Sequence, residues 1–207
     1  MFSHQLSIFD IKLSDVSTEH YVSEINGLVY IKDYIDQTTH NYLISQIDSF
    51  PWLNDLARRV QHYGYKYDYK SRGVDKSMYI ASLPIWAKEL AHKIRKKYTT
   101  DLPDQVIVNE YMPGQGIANH IDCVNCFTDT IVSLSLCSSC VMDFVHIETG
   151  ARKSLMLEPR SLVVLSGDAR YKWLHGIAKR KSDMYKGEKY IRKRRVSLTF
   201  RKVILGD

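Results

Sequence analysis

The sequence predicts a mainly β protein with flanking helices, its core a double-sheet jelly roll or a barrel. Two observations carry that prediction. Eight short strand-like runs fill residues 105–204, punctuated by turns such as Pro113-Gly114 and Thr149-Gly150. Ahead of them, residues 1–104 mix helix-period with strand-period segments.

In that first part, TTHNYLISQIDSF (38–50) and PIWAKELAHKIRKKY (84–98) read as helices. In the second, Ala87, Leu90, Ala91, Ile94 and Tyr98 recur at helical spacing, and Pro84 suits a first turn. Between the helices, YGYKYDY sets Tyr63, Tyr65, Tyr67 and Tyr69 at period two. One strand face would then be wholly aromatic, with Lys66, Asp68 and Lys70 on the other. Such a face either packs its tyrosines on the core or offers a base a stacking platform, with cations for phosphate. The later strands are QVIVNEYM, GIANHID, TIVSLSL, VMDFVHIE, RKSLMLE, SLVVLSG, WLHGIA and RVSLTFRKV. The expected division is an N-terminal extension and lid over 1–104, packed on a core of 105–207, the two forming one compact unit.

Composition narrows the function. Hydrophobic residues make up 44% of the 207 and charged residues 25%, ordinary for a soluble globular chain. A chain this long buries about 70% of its unfolded surface and needs no disulfide staples. Lys and Arg number 29 against 23 Asp and Glu, a net charge of +6. That balance directs attention to an acidic partner, nucleic acid being the commonest; a plain solubility bias is the blander reading. No run of 18 apolar residues exists, so no membrane span is expected. The opening MFSHQLSIFDIKLSD carries acids where a signal peptide has a basic leader and a long apolar core. An intracellular, cytoplasmic protein is expected, and its four cysteines then argue against structural disulfides.

Three residues suggest a metal. His120 and Asp122 stand two apart at a strand end, and side chains at i and i+2 share a side. His175 follows 53 residues after Asp122, in another strand. Two His and one carboxylate make a face that leaves half an octahedron open, which suits non-haem Fe(II) meeting O2 and a cosubstrate. The bland alternative is a surface strand edge and a buried, hydrogen-bonded His175. On RVSLTFR, Arg195 and Arg201 share a face with Ser197 and Thr199, while Val196, Leu198 and Phe200 occupy the other. A dicarboxylate needs such a cationic, hydroxyl-bearing face, because arginine forks bind carboxylate in bidentate fashion. Asn109 and Tyr111, two apart on the strand leading to His120, are placed to bond the same ligand.

Other motifs carry less. Gly114-Gln115-Gly116 lacks the third glycine and the helix of a dinucleotide site. Cys123-x-x-Cys126 and Cys137-x-x-Cys140 look like a zinc ribbon, but the strand between them separates the pairs by roughly 20 Å. Cys123 is therefore read as a semi-buried thiol beside Asp122. Residues 186–202 carry eight Lys/Arg and one acid and run into Arg195. Lys189, Arg192 and Lys193 are read as phosphate contacts rimming the site, rather than as a solvated loop.

The series NEYMPGQGIANHID (109–122), IVSLSL, RSLVVLSGDARYKWLHGI and RVSLTFR resembles the AlkB family of Fe(II)/2-oxoglutarate dioxygenases over about residues 105–204. The stretch RRVQHYGYKYDYKSRGVDKS (58–77) resembles the nucleotide-recognition lid of the branch containing the homologue that hydroxylates a modified wobble uridine in tRNA. The resemblance implies a double-stranded β-helix (jelly-roll) core. It implies His120, Asp122 and His175 as iron ligands, and Asn109, Tyr111, Arg195 and Arg201 as 2-oxoglutarate contacts. Arg195 would pair with the far carboxylate, and Arg201 would lie nearer the ketoacid end. Arg58, Arg59, Tyr63 and Tyr65 of the lid join Lys189, Arg192 and Lys193 as expected substrate contacts.

The expected activity follows from that resemblance: O2-dependent decarboxylation of 2-oxoglutarate to succinate, coupled to hydroxylation of an alkyl group on a modified nucleobase. RNA, and tRNA in particular, is favoured over DNA. An oxidative demethylase of N-alkylated bases is the alternative. A non-catalytic nucleic-acid-binding jelly roll is a rival of another class, as is a zinc hydrolase, which gives the paired arginines no task.

Overall fold

The computed structural model describes residues 11–205 apart from 16, 23, 55, 70 and 72. Lys70 and the opening ten residues, both used in the sequence reading, lie outside the described residues.

The first half holds β1 (Thr18–Tyr21), β2 (Leu28–Lys32), α1 (Gln37–Asp48), β3 (Arg59–Tyr65), β4 (Tyr79–Ala81) and α2 (Ile85–Tyr98). The second holds β5 (Gln105–Tyr111), β6 (Ile117–His120), β7 (Ile131–Cys137), β8 (Cys140–His146), β9 (Arg152–Leu157) and β10 (Leu162–Leu165). It closes with α3 (Gly167–Tyr171), β11 (Trp173–Ile177), β12 (Ser182–Tyr185), β13 (Glu188–Ile191) and β14 (Arg195–Arg201). An eight-stranded sheet runs β1-β2-β10-β7-β14-β5-β3-β4, a four-stranded sheet runs β6-β11-β8-β9, and β12 pairs with β13. All pairings are antiparallel, and the two larger sheets face each other as a jelly roll. Strands from both sides of residue 104 share the large sheet. No helix among the described residues is long and apolar enough to cross a membrane.

Alternation along the strands builds two cores. On one side of the large sheet, Val196, Leu198 and Phe200 of β14 are fully buried with Leu43 and Ile47 of α1 and Trp86, Leu90 and Ile94 of α2. Each such side chain contributes roughly 1.5–3 kcal/mol on burial. Asp36 caps α1 by accepting from the Thr39 N–H at 2.7 Å. Also on the helix side, Glu110 is gripped by Arg59 and Arg194, and Arg194 reaches on to Asp48. The other side of the sheet faces β8, β9 and β11 across a second core that includes Met142, Phe144, Leu157 and Trp173. The odd residues of β14 point into this space.

Three expectations are corrected. The tyrosines do not share one face. Gly64 takes φ +79°, and the β3–β4 register shifts between Gly64 and Tyr65. Tyr63 therefore turns to the helix side against Phe50 and Trp86, whereas Tyr65 and Tyr67 pack on the inter-sheet side. Glycine is required there, since a Cβ would fall 1.8 Å from the Asp104 carbonyl oxygen. Second, a disulfide is present: Cys123 bonds to Cys126. The turn that brings the Cys126 N–H back to the Cys123 carbonyl leaves their Cα atoms 5.3 Å apart, within bonding range. Cys137 and Cys140 are free. Third, the described residues from 105 on form ten strands rather than the expected eight, because the basic run after His175 folds into a hairpin, β12–β13.

Candidate active site

β6 and β11 lie antiparallel with His120 directly opposite His175, their ring centroids 4.5 Å apart. This approach depends on Gly176, where a Cβ would fall 2.9 Å from the backbone nitrogen and 3.0 Å from the Cα of Asn119. β6 ends at His120, so Asp122 stands just beyond the strand, yet its Oδ2 lies 3.6 Å from His175 Nε2. One potential ligand atom from each of the three residues lies within 4.8 Å of the others. His120 Nδ1 sits 2.9 Å from the Ala118 carbonyl oxygen. As donor in that bond it leaves Nε2 with a free lone pair.

The electrostatics suit a cation. Burial alone would raise the Asp122 carboxyl, but Arg201, His175, His120 and Arg170 outweigh it and hold it at about 2. Burial is also the largest influence on His175 and pushes it down to about 4; Asp122 opposes that fall, while His120, Arg201 and Arg170 add to it. At neutral pH the pair is a carboxylate and a neutral imidazole, the protonation states that ligate a metal.

Two arginines hold Asp122 in place. Arg201 donates to its Oδ1 at 2.5 Å. Arg170, on α3 and buried, donates through one nitrogen to the Asp122 carbonyl at 2.8 Å and through another to the Cys123 carbonyl at 3.1 Å. The loop that carries the carboxylate is thus tied from behind as well as from the side.

A cavity of about 750 Å³ between the sheets contains the three residues. Arg195, only 3% exposed, lines it too, bonded to Ser135 Oγ at 2.8 Å with its guanidinium over the Tyr111 ring. Among the described residues Arg195 has no acidic partner, and its buried Nε has no acceptor. Burying an unpaired guanidinium is costly, so the site fits an anion. The donor set fits a divalent metal with open positions: two imidazoles and one carboxylate on one side.

The structure brings His120, Asp122, His175, Asn109, Tyr111, Arg195, Arg201 and Arg58 to this one cavity. Arg58 donates to Asn109 Oδ1 at 2.8 Å and stacks over Tyr69 and Tyr111. The other expected substrate contacts lie elsewhere. Arg59 is paired with Glu110 on the helix side. Tyr63 is in the helix-side core, bonded to Gln61. Tyr65 meets Tyr79 edge-on, away from the cavity lining. Arg192 is buried, with Nε and one terminal nitrogen on the two oxygens of Asp183. Lys189 and Lys193 are exposed, and no residue from 178 to 194 lines the cavity.

Sequence reasoning did not assign Tyr67, Tyr69, Leu56, Phe127 or Val124 to the cavity, nor Arg170 to its support. Tyr67 and Tyr69 belong to the period-two run, and the glycine inside that run was the available signal that its two ends face different ways. Arg170 lies five residues before His175, and nothing in its local pattern distinguishes it.

The sequence profile of the 2OG-Fe(II) oxygenase superfamily matches residues 27–201. The chain is 36% identical over 208 residues to the alkylated DNA repair protein ALKBH8 homolog of Arabidopsis thaliana, covering 87% of this chain and 60% of that one. It is 37% identical over 205 residues to the Mus musculus tRNA (carboxymethyluridine(34)-5-O)-methyltransferase ALKBH8, covering 86% of this chain and 30% of that one. The chain thus spans between a third and three-fifths, roughly, of the length of these relatives. Among solved structures, that of OsALKBH1 superposes with a TM-score of 0.63 at 18% identity, covering 89% of this chain and all of the other.

Proposed function

The chain belongs to the 2OG-Fe(II) oxygenase superfamily, and from that premise we propose that it hydroxylates an alkyl group on a modified nucleobase, with tRNA wobble uridine the favoured substrate. His120, Asp122 and His175 would hold Fe(II). Arg195, with Tyr111 and Asn109 beside it, would take the far carboxylate of 2-oxoglutarate. Arg201 keeps the Asp122 carboxylate oriented and ionised. Fe(II) with 2-oxoglutarate and O2 supplies the oxidising chemistry, which yields succinate, carbon dioxide and a hydroxylated carbon.

The chain's own residues provide placement and dryness. The neutral His175 and the carboxylate of Asp122 offer lone pairs without first losing a proton at neutral pH. The apolar lining from Phe127, Leu165 and Ile177 limits water near the reacting centre. Tyr67 and Tyr69 give a planar base aromatic surface at the cavity wall, and Arg58 adds a cation beside them.

One observation carries the reading. The His-Asp-His cluster shares a cavity with a buried arginine that has no acidic partner among the described residues. A non-catalytic binding module has no use for that combination, and neither has a zinc hydrolase. The preference for tRNA rests on the name of the mouse relative and on the lid resemblance, and an intracellular site of action is part of the same proposal.

The test is mass spectrometry of nucleosides from tRNA incubated with the protein, Fe(II) and 2-oxoglutarate, run beside a succinate assay. A gain of one oxygen on a single modified uridine is expected. Release of formaldehyde with loss of a methyl group would move the assignment to the demethylase alternative. Absence of succinate under every substrate would overturn the oxygenase chemistry.

A further inference from the structure

The cations of this chain are not evenly spread. Residues 179–193 hold seven Lys/Arg against two acids, a local charge of +5 beside +6 for the whole chain. The fold divides these cations into two groups. Arg180 and Arg192 turn inward onto Asp183, which is fully buried. Asp183 accepts from Arg192 at 2.6 and 2.7 Å, from Arg180 at 2.6 Å and from the Val141 N–H at 3.1 Å. Arg192 also donates to the Ala178 carbonyl at 2.7 Å.

The remaining five, Lys179, Lys181, Lys186, Lys189 and Lys193, are exposed, and none has an acidic partner among the described residues. Glu188 is the one exposed acid of the segment, and it accepts from the Tyr190 hydroxyl. Met184 and Ile191 are 62% and 64% exposed. Met184 stands opposite Lys189 and Ile191 opposite Ser182, on the ribbon face turned away from Asp183.

A two-stranded ribbon is marginal by itself. Every residue of β13 is exposed, so packing does not hold this one in shape. The buried Asp183 clamp does. Such a clamp adds little net stability after its desolvation cost, but it fixes one geometry. The result is an ordered array of unpaired ammonium groups with aliphatic side chains between them. Both ends of the hairpin lead directly into cavity walls, at Ile177 and Arg195.

We propose that the β12–β13 hairpin is a docking surface for the phosphodiester backbone of nucleic acid, separate from the cavity and held in shape by the Asp183–Arg192 clamp. The proposal rests on the reading above that the substrate is a nucleic acid. It also reassigns Arg192 from phosphate contact to scaffold.

The test compares the full-length protein with Lys179→Gln/Lys186→Gln/Lys189→Gln. Binding of a labelled RNA stem-loop, and of a DNA stem-loop of the same sequence, is titrated at several salt concentrations. Each phosphate contact contributes about 0.9 to the log–log salt slope on a duplex and about 0.7 on a single strand. Loss of three contacts should make the slope shallower by about 2–3, with the melting curve unchanged. The matching triple Lys→Arg protein should keep the wild-type slope. Equal effects on both stem-loops identify the backbone alone as the ligand; an effect on RNA only identifies RNA. A wild-type slope in the triple Gln protein overturns the proposal, as does a wild-type slope in the single variant Lys186→Glu. The oxidation assay is read separately. Oxidised RNA with an unchanged slope rejects the hairpin alone, while a changed slope without oxidised RNA rejects the catalytic reading alone.

Discussion

Replacing Arg195 with Met should separate two effects that ordinary active-site mutations confound. Arg195 is 3% exposed, and among the described residues its Nε has no acceptor and its one polar side-chain partner is Ser135 Oγ. Without an anion the guanidinium is an uncompensated buried charge, and in proteins such a charge costs several kcal/mol. Met keeps most of the volume and removes the charge, at the loss of one hydrogen bond worth about 1 kcal/mol. The variant without ligand should therefore melt no lower than wild type. Its response to 2-oxoglutarate should disappear. Losing one partner of a desolvated charge pair costs about 2–5 kcal/mol, a factor of roughly 30 to several thousand in affinity. At a hundred times its dissociation constant, 2-oxoglutarate should stabilise wild type by about 2.7 kcal/mol. For a chain of this size that is a melting shift of roughly 5–10 °C. The assay is thermal melting under anaerobic conditions with a redox-inert divalent metal, with and without 2-oxoglutarate, so it needs no turnover. Arg195→Lys should recover part of the shift, since an ammonium cannot reproduce the fork. A full ligand-induced shift in Arg195→Met would refute the assignment of the anion site, and a large drop in ligand-free melting would refute the account of an unpaired charge.

Four further outcomes are expected. His120→Ala, Asp122→Ala and His175→Ala should each abolish succinate production and metal retention while the chain still melts cooperatively, at a lower temperature in Asp122→Ala, which strands the buried Arg201; full activity in any one removes the proposed centre. Arg170→Met should lower metal affinity by roughly 10–100-fold, the usual cost of losing an outer support of a ligand, as read by metal titration; unchanged affinity would mean that the loop holds itself. Gly176→Ala should force β6 away from β11 and separate the two imidazoles, so metal retention measured after gel filtration should fall. The last concerns acid stability. Burial raises the Asp183 carboxyl, but its bonds from Arg192, the Val141 N–H and Arg180 outweigh this and hold it below the ordinary range. Its contribution is therefore complete above the unfolded value near about 3.9 and is lost as pH falls through the lower folded value. Asp183→Asn should cost about 3–5 kcal/mol near neutrality by stranding Arg192, and denaturant midpoints against pH should show a flatter acid limb.

Legibility in the sequence followed the range of the interactions. Eight of the ten strands of the second half and both long helices were readable because their periodicity comes from burying one face of each element, and β12 and β13 were not because β13 is exposed throughout. The same alternation placed Arg195, Ser197, Thr199 and Arg201 on one side of β14, and the cavity lining agrees. His120 and Asp122 were found through spacing, although Asp122 lies outside its strand. What escaped notice depends on partners distant in sequence. Arg192 has the composition of a phosphate contact, and only Asp183 folded beneath it makes it a buried clamp. Arg170 acts through carbonyls 47 and 48 residues away. The tyrosine run was misjudged because one glycine at positive φ reverses the facing of the chain. The Cys123–Cys126 bond was set aside on grounds of compartment, when the geometry of a four-residue turn decided it.

The two-faced character of β14 bears on how the protein selects its own fold. Its even positions fill the helix-side core and its odd positions line the cavity between the sheets. Sliding this strand by one residue against β5 and β7 would drive Arg195 and Arg201 under the helices and Val196, Leu198 and Phe200 into the cavity. No intermediate alignment serves either layer. An anion held by Arg195 would therefore bind, and stabilise, only chains whose sheet has paired correctly.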